Sequence, residues 1–310
     1  MRAVVTENYG LPPTVAEVET PTPGPGEVRV KVRSSSLNGF DTALARGYLK
    51  EMMEHRFPVV LGRDFAGTVD QVGEGVTQFA AGDNVFGFVI TQPLNAGGFG
   101  EYVVVPEDHY IAPMPAGLDH ATAGVLPLAG SAALASIDAV APRQGETVLV
   151  SGATGGVGAF VLQLAAARGA TIIATAALGA EADHVRTLGA AHVVDHSQDL
   201  AAQVREIAPN GVDVVLHFAG DPFALADLLV DKGRFASLLS IGQDQFADRN
   251  ITATAVFAGP RRDQLEALAS EIVAGRLRIP VQRSYSLDEV PQAFADFAAG
   301  TLGKLAVTID

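Results

Sequence analysis

The stretch Val148-Leu149-Val150-Ser151-Gly152-Ala153-Thr154-Gly155-Gly156-Val157-Gly158 constrains the fold more than any other. It joins a short apolar run to a glycine-rich turn, and helix formers with an apolar stripe follow from Ala159 to Ala167. A buried strand turning sharply into a helix aims free backbone N–H groups, and the positive end of the helix dipole, at an anion. Gly155 and Gly158 remove side chains that would block a pyrophosphate and keep helix and sheet apart. Ala153 takes the first slot of the usual G-x-G-x-x-G pattern, so the match is relaxed. The candidate cofactor-binding residues here are Ala153, Thr154, Gly155, Gly156, Val157 and Gly158. The competing reading is a tight packing turn that holds no ligand. The turn opens the second half of the chain, not its beginning.

A chain of 310 residues with 48% hydrophobic content can build two cores, so two domains are expected. Acidic residues number 35 against 21 Lys and Arg, for a net charge of −14. Such a surface repels phosphate backbones, and no basic run offsets it, so no nucleic-acid partner is expected. The absence of cysteine excludes disulfides, thiolate catalysis, iron–sulfur clusters and cysteine-type zinc sites. Met1-Arg2-Ala3-Val4-Val5 reads as a strand, without a signal core or transit bias. Residues 121–141 are apolar, but Pro127 and Asp138 favour a packed helix over a membrane span. A soluble, cytoplasmic protein without a membrane partner is expected.

The first third carries short β-type runs, among them the strictly alternating Glu27–Val32 and the run Gly67–Val72, punctuated by Gly73-Glu74-Gly75, Gly82-Asp83 and Gly97-Gly98. This predicts a β-barrel-like domain. Beyond Pro113-Met114-Pro115 apolar strands alternate with helices. Thr147–Val150, Thr171–Thr175, His192–Asp195, Val212–Phe218 and Arg234–Ile241 are the strand candidates, spaced for a parallel sheet covered on both faces. Helices around Arg262–Ala274 and Leu287–Ala299 and a strand at Lys304–Ile309 close the chain.

Landmarks along nearly the whole chain resemble the zinc-independent, zeta-crystallin-like quinone oxidoreductases of the medium-chain dehydrogenase/reductase superfamily. They are Asn38-Gly39-Phe40-Asp41, Leu61-Gly62-Arg63-Asp64-Phe65-Ala66-Gly67, Gly82–Gly87, Gly97–Tyr102, Leu126-Pro127-Leu128-Ala129-Gly130, the glycine turn, Leu188-Gly189-Ala190 and Gly303-Lys304. The resemblance implies an α/β architecture: a GroES-like β-barrel catalytic domain (1–115), a Rossmann doubly wound parallel-sheet domain (116–259), and a segment returning to the catalytic domain (260–310).

Zinc-dependent relatives place a Cys and a G-H-E motif at the metal. Here Asn38 stands near the Cys position, and Arg63 and Asp64 replace the His and Glu, so no metal is expected. His192 and His196 have the i, i+4 spacing of a metal-binding helix, but Ala191–Asp195 reads as a strand, where that spacing parts them by about 13 Å.

Without metal or thiol the hard chemistry falls to a cofactor, and a nicotinamide hydride is the candidate. The resemblance puts the nicotinamide in a cleft between the domains. Asn38 and Asp41 would border it on one side; Phe218-Ala219-Gly220, Ser240-Ile241-Gly242 and Phe257-Ala258-Gly259 on the other. Tyr48 falls where the family lines its substrate pocket, and its phenol would polarise a carbonyl oxygen. Each has a structural alternative: packing for Tyr48, an Asx-turn for Asn38, a helix cap for Asp41, and a mere ion pair for Arg63 with Asp64. Where the family often has a threonine, this chain has Ala132. His217 stands where an acidic or polar residue is common, either contacting cofactor or satisfied beneath its loop. The second strand ends Thr175-Ala176-Ala177-Leu178 with no acid to hold a ribose, which favours NADPH (NADP+), although no Lys or Arg lies between Thr171 and Glu181.

The expected activity is therefore NADPH-dependent, metal-free hydride transfer to quinones or other α,β-unsaturated carbonyl compounds. The alternative is a nicotinamide-binding redox sensor or structural protein with negligible turnover. The apolar, β-branched run Ile251–Phe257 would make an exposed strand edge, and pairing with a twofold mate in a homodimer would cover it.

Overall fold

A computed structural model describes all 310 residues. In chain order it begins with β1 (Arg2–Thr6), β2 (Thr14–Glu17), β3 (Glu27–Leu37), α1 (Gly39–Ala45), β4 (Val59–Val60) and β5 (Asp64–Val72). There follow β6 (Asn84–Phe88), β7 (Tyr102–Pro106), β8 (Ile111–Pro113), α2 (His120–Ala123) and α3 (Pro127–Val140). Alternation along β3 buries Val28, Val30 and Val32 completely while Glu27, Arg29 and Lys31 stay partly exposed. The apolar stretch near residue 130 is two helices rather than one, parted at Gly124–Leu126, and no helix is long and apolar enough to cross a membrane.

The middle of the chain supplies β9 (Thr147–Ser151), α4 (Gly156–Ala167), β10 (Thr171–Thr175), α5 (Ala180–Thr187), β11 (His192–Val194), α6 (Leu200–Ile207), β12 (Val212–His217), α7 (Pro222–Ala226), β13 (Leu229–Ser237) and β14 (Thr252–Ala255). All six strands are parallel, in the order β11-β10-β9-β12-β13-β14. That order reverses at β9, which is the doubly wound arrangement with its crevice at the carboxyl end of the first strand. Val148, Leu149, Val150, Ile172, Ile173, Val214, Val215 and Leu216 are fully buried, as strands covered on both faces require. The fifth strand starts earlier than its apolar run suggests. Asp231-Lys232-Gly233, in which Lys232 takes φ +59°, lies within β13 beside a register irregularity with β12.

The chain ends with α8 (Arg262–Val273), β15 (Val281–Ser286), α9 (Val290–Ala298) and β16 (Lys304–Thr308). Pro291 lies in the first turn of α9, so the preceding Leu287–Glu289 forms a 3-10 turn instead of continuing the helix. Residues Met1–Ser131 and Pro260–Asp310 form one compact unit, and Ala132–Gly259 form the other. In the first unit β15, β16, β3, β5, β6 and β8 make one sheet in that order, with β7 also paired to β3, while β2, β1 and β4 make a second. Leu305 pairs with Leu37, which brings the last strand against the end of β3.

Candidate functional site

In the Rossmann unit the carboxyl ends of four strands lie in one row, Ser151 opposite His217, His217 opposite Ser237 and Ser237 opposite Ala255. The candidate loops all issue from that row: Gly152–Gly158 after β9, Phe218–Gly220 after β12, Ser240–Gly242 beyond β13, and Phe257–Ala258 after β14. Gly152, at φ +75°, makes the sharp turn one residue before the slot filled by Ala153, which is buried. Thr154, Gly155, Gly156 and Val157 are partly exposed. Gly155 is the N-cap of α4 and brings no side chain to the first-turn N–H groups, which have no intrahelical acceptor. At Gly158 a Cβ would lie 2.4 Å from the Ala153 carbonyl oxygen, so only glycine lets the helix start this close to the turn.

Two hydroxyl groups hold the cradle, and sequence reasoning gave neither this task. Thr175 Oγ1, at the buried tip of β10, accepts from Gly152 N at 3.1 Å, and Ser151 Oγ donates to Ala219 O. Ala176 is buried beside Thr175. Ala219, Gly220, Ser240 and Phe257 are exposed, and Phe218, Ile241, Gly242 and Ala258 are half-buried. Ser240 takes φ +58°. The Glu181 carboxylate accepts from Ala177 N at 2.8 Å at the start of α5, with His196 Nε2 at 3.8 Å. His196 lies beyond β11 and His192 within it, so the two do not share a helix.

His217 is satisfied beneath its loop. Leu239 N donates to Ser237 Oγ (3.0 Å), so the serine hydroxyl hydrogen is free to serve His217 Nδ1 (2.9 Å), and His217 Nε2–H donates to Gly220 O (3.1 Å). This chain of donors assigns the neutral Nε2–H tautomer. Burial holds the imidazole below the usual histidine pKa, with the Gly220 contact and Asp221 opposing. A histidine that resists protonation in the fold adds stability that is complete above about pH 6.5 and is lost as pH falls through that value. Thermal melts between pH 7.5 and 5.5 should therefore show wild type losing stability relative to His217→Gln as pH falls. Parallel curves would reject the assignment.

In the other unit Asn38 and Asp41 join a buried polar cluster at the start of α1. Asp41, fully buried at N3, accepts from Asn38 N and from Gly62 N, each at 2.9 Å, so the helix-capping reading of its carboxylate is realised. Burial pushes its pKa up to about 6 against the pull of Arg63. Arg63 and Asp64 are not each other's partner. The nearest carboxylate oxygen to Arg63 belongs to Asp41, at 3.9 Å, and the guanidinium donates to the carbonyls of Val60, Val89 and Ala96. Asp64 accepts from Ser36 Oγ (2.5 Å), Asn38 Nδ2 (2.8 Å) and Leu128 N in the first turn of α3 (2.8 Å), and Lys304 Nζ lies 3.6 Å away. Successive residues entering a strand face opposite ways, which separates the two charges. Lys304 was legible only as a landmark; nothing local announces its role. Tyr48, three residues past α1, is 70% exposed.

These residues do not fit zinc. Arg63 offers no lone pair, Asn38 Oδ1 already accepts from Lys304 Nζ at 2.6 Å, and Asp64 already meets four donors. No group of three or more His, Cys, Asp or Glu side chains converges to hold a metal ion. The glycine cradle, by contrast, fits a dinucleotide pyrophosphate.

The alcohol dehydrogenase GroES-like domain matches residues 24–116, and the zinc-binding dehydrogenase family matches residues 188–307. The chloroplast envelope quinone oxidoreductase homolog of Arabidopsis thaliana is 28% identical over 94% of this chain and 92% of its own length. The phthioceranic/hydroxyphthioceranic acid synthase of Mycobacterium tuberculosis is 34% identical over 90% of this chain, which spans only 14% of that protein. The solved quinone oxidoreductase of Coxiella burnetii superposes with a TM-score of 0.89 at 26% identity, covering 100% of this chain and 99% of that one. The chain is an oxidoreductase, and it belongs to the medium-chain dehydrogenase/reductase superfamily as a quinone oxidoreductase-like member.

Proposed function

We propose that this protein is an NADPH-dependent, metal-independent reductase that transfers a hydride to quinones or other α,β-unsaturated carbonyl compounds in the cytoplasm. The observation that carries the reading is the open N-terminus of α4 on its glycine turn, at the point where the strand order reverses. The reduced nicotinamide supplies the hydride. The Gly152–Gly158 turn binds the pyrophosphate, and Thr175 and Ala176 border the adenosine ribose. Phe218–Gly220, Ser240–Gly242 and Phe257–Ala258 complete the cofactor's surroundings. Among the candidate catalytic residues, Tyr48 alone has a side chain exposed to a ligand, and its phenol donates to the acceptor oxygen. Asn38 and Asp41 serve by fixing the start of the helix that leads to Tyr48.

The missing acid at the tip of β10 supports NADPH over NADH, since nothing on that strand repels a 2′-phosphate. Glu181 works against a phosphate, but its carboxylate is engaged by Ala177 N, with His196 beside it. The test is absorbance loss of NADPH, and separately of NADH, on adding a quinone and then an enone. NADPH oxidation with either acceptor supports the reading; a preference for NADH overturns the cofactor choice. Tight NADPH binding without turnover across the panel replaces the reductase with the sensor.

The strand β14 ends the parallel sheet, and its outer edge carries no partner strand within the chain. We infer that two copies pair along it in a homodimer. Light scattering should give twice the 32.1 kDa chain mass, and a monomer at micromolar concentration rejects the pairing.

A further inference from the structure

We propose that Lys304 is a positioning residue of the reductase site, an internal ammonium that does for Asn38 and Asp64 what a bound cation would do. Lysine is rarely buried, yet Lys304 is 3% exposed. Backbone geometry delivers it. Gly303 turns at φ +93° where a Cβ would lie 2.3 Å from Pro280 O, and Lys304 N donates to that same carbonyl at 2.8 Å. The pairing of Leu305 with Leu37 then sets Lys304 beside Asn38.

Around Nζ stand three oxygens of different kinds: Asn38 Oδ1 at 2.6 Å, Leu37 O at 3.3 Å and Asp64 Oδ2 at 3.6 Å. An amide oxygen, a backbone carbonyl and a carboxylate form a hard-cation donor set, and here a strand of the same chain supplies the positive charge. The bond to Oδ1 fixes the amide's orientation, so Nδ2 must face its two acceptors, Ser36 O at 3.2 Å and Asp64 Oδ2 at 2.8 Å. Asn38 is the N-cap of α1, and Tyr48 N donates to Ala43 O of that helix at 2.9 Å. The ammonium thus anchors the start of the segment that carries the exposed phenol.

The importance of this anchor for turnover rests on the reductase reading, whereas its effect on Asn38 does not. The test is Lys304→Met, which keeps the stem and removes the charge, read in two ways. Hydrogen exchange of the Asn38 side-chain amide, followed by NMR, should accelerate at least tenfold. Turnover with NADPH and a quinone should fall at least tenfold while the KM for NADPH stays within threefold, and Lys304→Arg should recover part of the loss. Unchanged amide exchange overturns the proposal whatever happens to turnover, and so does wild-type turnover in Lys304→Met. If wild type itself reduces no acceptor, the reductase reading fails, and amide exchange alone decides whether Lys304 holds Asn38. If Lys304→Met does not fold, Lys304→Ala is compared with and without ethylammonium. Recovery of the folded state by ethylammonium, and not by equal sodium chloride, supports an internal cation; absence of recovery overturns it.

Discussion

Gly158→Val is expected to abolish nicotinamide-cofactor binding, with Kd rising at least a hundredfold, which corresponds to about 2.7 kcal/mol or more. A Cβ at this position would sit 2.4 Å from Ala153 O and 2.6 Å from Gly152 O. Both obstacles are backbone atoms, so no rotamer change relieves the clash and the turn itself has to open. That opening acts directly on the elements that make the cradle: Gly152 at φ +75°, its N–H bond to Thr175 Oγ1, and the first turn of α4. Overpacking of this kind also costs roughly 1–3 kcal/mol of folding stability. The two losses are separated by measuring cofactor affinity by fluorescence titration and stability by thermal melting on the same preparation. Gly39→Ala is the control, since a Cβ there meets nothing within 4 Å. A Gly158→Val protein that binds cofactor within threefold of wild type would show that the turn is packing alone.

The cradle was legible in the sequence because its determinants are local. Strand, glycine turn and helix follow one another within about two dozen residues, and strands covered on both faces leave unbroken apolar runs. Hence Thr171–Thr175 is found at its expected limits, and Thr147–Val150 differs by one residue. Where a strand carries polar residues through an irregularity, as at Asp231-Lys232-Gly233, the apolar run misleads. The buried cluster was legible by residue type but not by partnership. Arg63 and Asp64 are neighbours in the chain and opposite in charge, so pairing them is the natural reading. Strand geometry instead sends Arg63 toward Asp41 and Asp64 toward Lys304, and the second of these depends on a register set by the far end of the chain. No local pattern encodes that register.

Asp64→Asn is expected to destabilise the protein by about 3–5 kcal/mol, the cost of breaking a buried charge pair from one side. Each neighbour that approaches this carboxylate is a donor: the Ser36 hydroxyl, the Asn38 amide, Leu128 N and the Lys304 ammonium. An asparagine amide turns one acceptor oxygen into a second set of N–H groups facing N–H or O–H, so at least one buried donor loses its acceptor. It also leaves the Lys304 charge without its nearest carboxylate and removes an anion from the first turn of α3, where the helix dipole favours one. A drop in Tm of roughly 6–20 °C follows for a unit of this size. Asp288→Asn, at an exposed pair with Arg2, is the matched control and should cost about 1 kcal/mol or less. The double variant Asp64→Asn with Lys304→Met removes both charges together. It should be more stable than the sum of the single changes predicts, because no unpaired ion is then left inside. Strict additivity of the two losses would mean that Asp64 and Lys304 lie close together without acting on one another, and the crossed pairing of charges would lose its energetic content.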